Sequence, residues 1–547
     1  MSGRRRPERS GSDRLVEPDL IVVVATSLLL IAPFLILHHV NTIDGPAHVL
    51  GGRLLGSLGD TSIVRHYYDI SFNTAPNVVT QLLLVALMRV VSPTWAEKVL
   101  VSVYIVAFPL SVRYAIKSVN RDAGWLTLLS LPFVISYLLL LGFYDFSYAM
   151  VGAFIAIGMT IRYRASWTPW RAVGLCLVLV LTYAAHIVPA IMALVVIATI
   201  TVVEALGEWS SRRAEGAVQN PIVSRFVLPP LLAMTPVVAL VLGFIASGTG
   251  GGLAMQRKSL KSLVAGLGSL TLPIVSYSRI EIVASVLTAA VLAILFIIAI
   301  GKSRTSRPSR LTTALFVATV ACVVVYFVSP DDLGTGSYLN DRISLFPPLM
   351  LILVCASISM SARVLRTAGA MGLVAALLAA GARLPTQVHY DHLVNEYLTV
   401  ESAIPPGATL VAFRYSEFSP PLGNQRYDQS DPLAHEASRV AADNGDVDLR
   451  HLEGQFNYFP DRFRPSLNRL ASRYLNDFNV PPTVNLLRYN GASGRPAQYV
   501  LLVGLTHASR QVRNDSATLN VERALASDYV RVMVTRPTGL VQLYRLK

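Results

Sequence analysis

Eleven apolar runs fill most of the first 382 residues, at 20–40, 97–117, 123–143, 146–163, 170–185, 187–206, 225–247, 280–300, 311–329, 343–361 and 364–382. A helix needs about 20 apolar residues to cross the hydrocarbon core of a bilayer. Lipid offers no partners for backbone N–H and C=O groups, so a run of this kind must be helical. The expected fold is a polytopic α-helical membrane protein with about 11 transmembrane helices. Charged residues are only 15% of the chain, against about 25% in soluble proteins. The 170–185 run is short and can also be read with the next one as a single broken unit. Residues 78–91 are apolar but too few to cross. Pro76 precedes them and Ser92-Pro93 ends them, which reads as an interfacial or re-entrant helix.

Charge placement orients the chain. With the N-terminus inside and 78–91 not crossing, every inside loop is basic: Arg113, Lys117 and Arg121; Arg162, Arg164 and Arg171; Arg212 and Arg213; Lys302, Arg304, Arg307 and Arg310; Arg363 and Arg366. This is the positive-inside pattern. It also accounts for the net charge of +14 without a nucleic-acid partner. Residues 1–18 are expected to be a disordered cytoplasmic tail. No small-residue cleavage site follows the first run, so that run reads as a retained span. Cys176, Cys322 and Cys355 all lie in apolar runs and match no metal or disulfide spacing.

The same parity places the unusual polar residues outside. The stretch Asn41-Thr42-Ile43-Asp44-Gly45-Pro46-Ala47-His48 leaves the first span. Asp44 and His48 are four apart and share a helix face. An acid and an imidazole at a lipid–water boundary can handle a proton on a polar head group. Equally, Asp44 can be the cap of a helix that Pro46 starts. His66-Tyr67-Tyr68-Asp69, Asp145, His186, Arg257, Lys258, Lys261, Asp331, Asp332, Asp341 and Arg342 fall on the same side. Ionisable groups at membrane depth usually face a protein interior or cavity. That argument is strongest for Asp145 and His186, which apolar residues hem in.

After residue 384 the signs of charge mix and no run is long enough to span. Residues 409–413, 499–503, 530–534 and 541–543 read as strands, and 393–402 and 433–442 as helices. The expectation is an extracytoplasmic soluble α/β domain over 385–547, after a transmembrane domain over 19–384 whose first outside loop is 41–96. No Walker loop, dinucleotide fingerprint or HExxH helix is present. Gly248-Thr249-Gly250-Gly251-Gly252 is a flexible loop leading to Arg257, Lys258 and Lys261. Such a cluster suits a lipid phosphate. A solvated loop touching anionic lipid fits it as well.

The layout of the whole chain resembles the GT-C superfamily of integral-membrane glycosyltransferases. The residue-level match is the octapeptide 41–48, similar to the family's first-loop acidic motif, and Asp145 in Gly142-Phe143-Tyr144-Asp145-Phe146, where the family often has a second acid. No Trp-Trp-Asp signature of oligosaccharyltransferases is present. The resemblance implies sugar transfer from a polyprenyl-phosphate donor to a glycan, lipid or protein acceptor on the outer face, with inversion. It implies Asp44 as base and Asp145 as orienting group or, with Asp44, ligand to Mg²⁺ or Mn²⁺. His48 and His186 would bind acceptor or phosphate. Arg257, Lys258 and Arg342 would receive the leaving polyprenyl phosphate. Rival readings are a flippase of lipid-linked sugars, which the lack of an internal repeat weakens, and a non-catalytic envelope scaffold. The arginine bias over lysine points to a prokaryotic inner membrane.

Overall fold

The computed structural model describes residues 17–57, 64–72, 76–214, 227–248, 255–305, 307–334, 336–418, 431–477 and 479–547. The expected tail lies outside the described residues except for its last two, and so does the glycine loop beyond Gly248. The helices used below are α1 (Pro18–Ile36), α2 (Gly45–Gly56), α3 (Val79–Leu87), α4 (Pro93–Val119), α5 (Tyr144–Tyr163), α6 (Pro169–Ala185), α7 (Ile187–Ala214), α8 (Leu228–Ala246), α9 (Arg279–Thr305), α10 (Arg310–Val328), α11 (Phe346–Ala356), α12 (Ala362–Leu398) and α13 (Glu436–Asn444).

Among the described residues, nine helical stretches are long and apolar enough to cross a membrane: α1, α4, α5, α7, α8, α9, α10, α12, and Leu339–Ala356, which contains α11. Leu28, Leu29, Leu231, Leu232, Ile294 and Ile297 point outward from them and are exposed. A soluble protein does not display such a belt, and the chain is a multi-pass helical membrane protein. The two other expected spans take different forms. Helix α6 has 17 residues, about 26 Å at 1.5 Å per residue. It is broken from α7 at His186, whose backbone is extended (φ −162°, ψ 135°).

The 123–143 run is not an α-helix. Residues Arg121–Phe133 form a 3-10 helix, and a short helix, Tyr137–Leu140, follows. Irregular backbone at membrane depth is tolerated only when protein surrounds it, and Ala123, Leu126, Leu128, Leu129 and Leu131 are all buried. Two glycines on α12 allow the close approach. A Cβ on Gly369 would stand 2.5 Å from Trp125 O, and one on Gly372 2.7 Å from Leu128 O. Arg383 on α12 then holds the end of the segment. It donates to Ile135 O at 2.5 Å and to Glu281 of α9 at 2.7 Å.

Helix α12 is longer than expected. Its 37 residues reach about 56 Å, beyond a bilayer core of about 30 Å. The projecting end absorbs the helix expected from residue 393. Its Asp391 accepts from His39 N–H at 2.9 Å and pairs with His38 at 2.9 Å. Its Glu396 accepts from Thr535 Oγ1 at 2.9 Å and Leu540 N–H at 3.0 Å. One helix thus ties the loop after α1 to the C-terminal segment.

The strands used below are β1 (Tyr68–Ile70), β2 (Thr409–Arg414), β3 (Val447–Asp448), β4 (Asp461–Phe463), β5 (Tyr499–Val503), β6 (Tyr529–Val534) and β7 (Val541–Leu546). Five of them form a sheet in the order β3-β2-β5-β7-β6. β2 pairs in parallel with β3 and β5, and β7 pairs antiparallel with β5 and β6. The four strands expected from alternation are all in it. A separate pair spans the sequence: β1 and β4 run antiparallel with Tyr68 opposite Phe463 and Ile70 opposite Asp461.

Candidate functional site

Backbone pairing builds the site. Ile43 N–H donates to Leu140 O at 3.3 Å, and Asp44 N–H to Leu141 O at 3.0 Å. Gly142 closes this contact at φ +90°, and a Cβ there would stand 2.7 Å from Asp44 N. The start of α2 is thereby set beside the first turn of α5, which carries Asp145. Pro46 lies in the first turn of α2, where its missing N–H costs nothing. Asp44 occupies the N-cap position, yet its side chain makes no capping hydrogen bond. Capping alone therefore does not account for this residue.

Asp44 keeps 20% side-chain exposure, whereas Asp145 and His48 are buried. Asp145 Oδ1 accepts from Thr80 N–H at 3.0 Å. Its Oδ2 is buried with no hydrogen-bond partner among the described residues. Burial pushes the Asp44 carboxyl up to about 6, and the His48 and Arg342 cations restrain the rise. For His48, burial disfavours the cation. Glu453 first, then Asp145 and Asp44, outweigh this and raise it to about 9. The imidazole thus lies among three carboxyl groups that favour its charged form.

The C-terminal segment supplies part of this environment. Glu453 pairs with His48. His435 Nε2 lies 3.5 Å from Asp44 Oδ1, and burial, with the Arg450 and Arg414 charges, lowers that imidazole to about 3. It faces Asp44 as a neutral ring. Beneath the loop, Thr42 Oγ1 and Tyr144 OH are 2.7 Å apart, and Tyr144 OH donates to Glu97 of α4 at 2.7 Å. Arg439 of α13 donates to Glu97 at 2.7 Å and to Glu436 at 2.9 Å. All three charged groups are buried. This triad fastens α13 to α4 directly under the Asp44 loop.

Five of the sequence-derived residues converge: Asp44, His48, Asp145, His186 and Arg342. Arg342 follows Asp341 in the short helix Leu339–Ile343. Its guanidinium lies 4.5 Å from the Phe143 ring and 3.2 Å from His186 Nε2. The Arg342 Nε is buried with no hydrogen-bond partner among the described residues. His186 is placed by the break between α6 and α7, where Val188 N–H donates to its Nδ1 at 3.1 Å. Lys258 stands one step away, paired with Asp331 at 3.0 Å and with Asp341. Arg257 is exposed, and no contact among the described residues places it in the cluster. Asp44 and Asp145 belong to no set of three converging metal ligands among the described residues. The group that does converge is His451, Glu453 and Asp461. His48 balances the Asp44 and Asp145 charges.

Sequence reasoning missed Glu97, His435, Arg439 and Glu453. Glu97 did carry a signal, as an acid at the head of an apolar run. The other three lie more than 300 residues from their partners, and no local pattern marks them.

No protein-family model matches the chain, and no curated protein matches it. Among solved structures, it is similar to ArnT from Cupriavidus metallidurans in the apo state, with 11% identity, a TM-score of 0.47 and coverage of 96% of this chain and 97% of that one. It is similar to the same protein bound to undecaprenyl phosphate, with 11% identity, a TM-score of 0.48 and the same coverage.

Proposed function

We propose that this protein is a membrane glycosyltransferase of the GT-C type. It would transfer a sugar from a polyprenyl-phosphate donor to an acceptor hydroxyl at the membrane surface. The observation that carries the reading is Asp44. It is a partly exposed carboxylate where the first span ends, unused as a cap, whose carboxyl burial raises to about 6 against the charges of His48 and Arg342.

In this reading Asp44 accepts the acceptor's hydroxyl proton. The acceptor oxygen bonds to the anomeric carbon as the bond from that carbon to the phosphate oxygen breaks. The electron pair leaves with the phosphate, and a single displacement inverts the centre. Arg342, with its unsatisfied buried Nε, receives the phosphate charge, and His186 orients the guanidinium. Lys258, held by two aspartates, adds positive potential nearby. Arg257 would meet the lipid phosphate only from the exposed surface. His48, kept charged by Glu453 and Asp145, holds Asp44 ionised. Asp145 is then a positioning residue. The displacement as written uses only this chain's own residues.

The basic loops at the opposite ends of the spans support a topology with Asp44 and the C-terminal segment outside and the N-terminus in the cytoplasm. Residues 385–547 would be an extracytoplasmic domain that completes the site.

The pH profile tests the role of Asp44. A base works only when deprotonated. The rate constant kcat/KM should therefore be level above pH 7 and fall about tenfold per pH step below about 6. A profile flat to pH 4.5, in a protein shown to stay folded there, would remove Asp44 as the base.

A further inference from the structure

Beside the β1–β4 ribbon lies a second polar cluster, which shares Glu453 with the site above. His451 and Glu453 follow β3, and Asp461 opens β4. The three residues are 0%, 1% and 0% exposed, and one donor atom from each lies within 4.8 Å of the others. His451 Nε2 stands 2.6 Å from Asp461 Oδ2.

A fourth group enters from α3. Gln81 is fully buried. Its amide lies between the two carboxylates, donating to Asp461 Oδ1 at 3.0 Å and to Glu453. Its Oε1 has no hydrogen-bond partner among the described residues. As placed, the Nε2 end faces the carboxylates, and the oxygen is the other end of the same amide.

We propose that His451, Glu453, Asp461 and the Gln81 amide oxygen form a binding site for a divalent transition-metal ion, zinc or manganese. One imidazole nitrogen and three oxygens suit such borderline ions. The two carboxylates neutralise the ion's charge, which a buried site requires. Turning the Gln81 amide end over presents its oxygen, since the two ends of an amide have nearly the same shape. The ion ties the stretch between α2 and α4 to the C-terminal segment. The site shares Glu453 with His48, but ion binding there does not depend on the reaction assigned to Asp44.

Full-length protein in nanodiscs is stripped with a chelator, incubated with zinc or manganese, and passed through a desalting column. Elemental analysis should find about one ion per chain, and the thermal midpoint should rise with the same ion. Asp461→Asn should weaken binding by about 100-fold, while Asp44→Asn and Asp145→Asn bind as wild type does. Gln81→Met keeps the size and removes the amide oxygen. It serves as a second variant if Asp461→Asn does not fold, and it too should bind more weakly. No ion on the wild type, or uptake unchanged in Gln81→Met, overturns the proposal. So does uptake lost in Asp44→Asn but kept in Asp461→Asn.

Discussion

Asp44→Asn is expected to lower kcat for sugar transfer by about 10²–10⁴-fold, the usual worth of a positioned general base. Donor affinity should stay the same, because the amide keeps the shape and the phosphate is received elsewhere, at Arg342. The variant should also melt no lower than wild type at pH 7.5. The Asp44 pKa is raised from 3.8 to about 6 by burial, so the folded state disfavours its charge. That cost is absent below pH 4, grows as pH rises through 6, and is fully present above it. A neutral amide removes it. Activity lost through unfolding would show the opposite sign in the melting temperature. The two readouts together separate a chemical role from a structural one.

Arg439→Ala should be the most destabilising single change in the C-terminal segment. It leaves Glu97 and Glu436 buried and facing each other without their cation. Breaking a buried pair from one side costs about 3–5 kcal/mol. Burial and the Glu97 charge already push Glu436 up to about 7 even with Arg439 present. Removing the arginine should also release Tyr144, which donates to Glu97, and Thr42, which bonds Tyr144, and so disturb the Asp44 loop. The check is thermal or urea unfolding in detergent, with the triple change Arg439→Met, Glu97→Gln, Glu436→Gln as the companion. The triple variant should recover much of the loss, because it replaces an unpaired charge with neutral contacts. Equal damage in both would mean that packing volume, not charge, holds α13 against α4.

The spans were legible because length and apolarity are local properties. Helices α1, α4, α5, α7, α9 and α10 fall where the apolar runs fall. The 3-10 segment Arg121–Phe133 was not legible: its side chains read like any other apolar run, and its tight winding depends on the approach of Gly369 and Gly372 from α12, some 240 residues later. The extension of α12 to Leu398 was hidden for a related reason. Its polar end is supported by His38, His39 and Thr535, not by lipid. Asp44 and His48 stood out through their four-residue spacing. Asp145 and His186 stood out as ionisable groups within apolar sequence. Glu453, His435 and Arg439 reach the same site from the far end of the chain. Contacts of that separation leave no periodicity to read, and a buried arginine looks like a surface one until its carboxylates are placed.

The most direct test of the central claim is sugar transfer by the purified protein in nanodiscs. A panel of radiolabelled polyprenyl-phosphate sugars is offered with an envelope extract, and Asp44→Asn is run beside the wild type. The account predicts that label from one donor moves into the extract with wild type and does not move with Asp44→Asn. Transfer at equal rates by both proteins would contradict the role given to Asp44. No transfer from any donor, with lipid-sugar binding equal in both, would contradict the assignment as a glycosyltransferase.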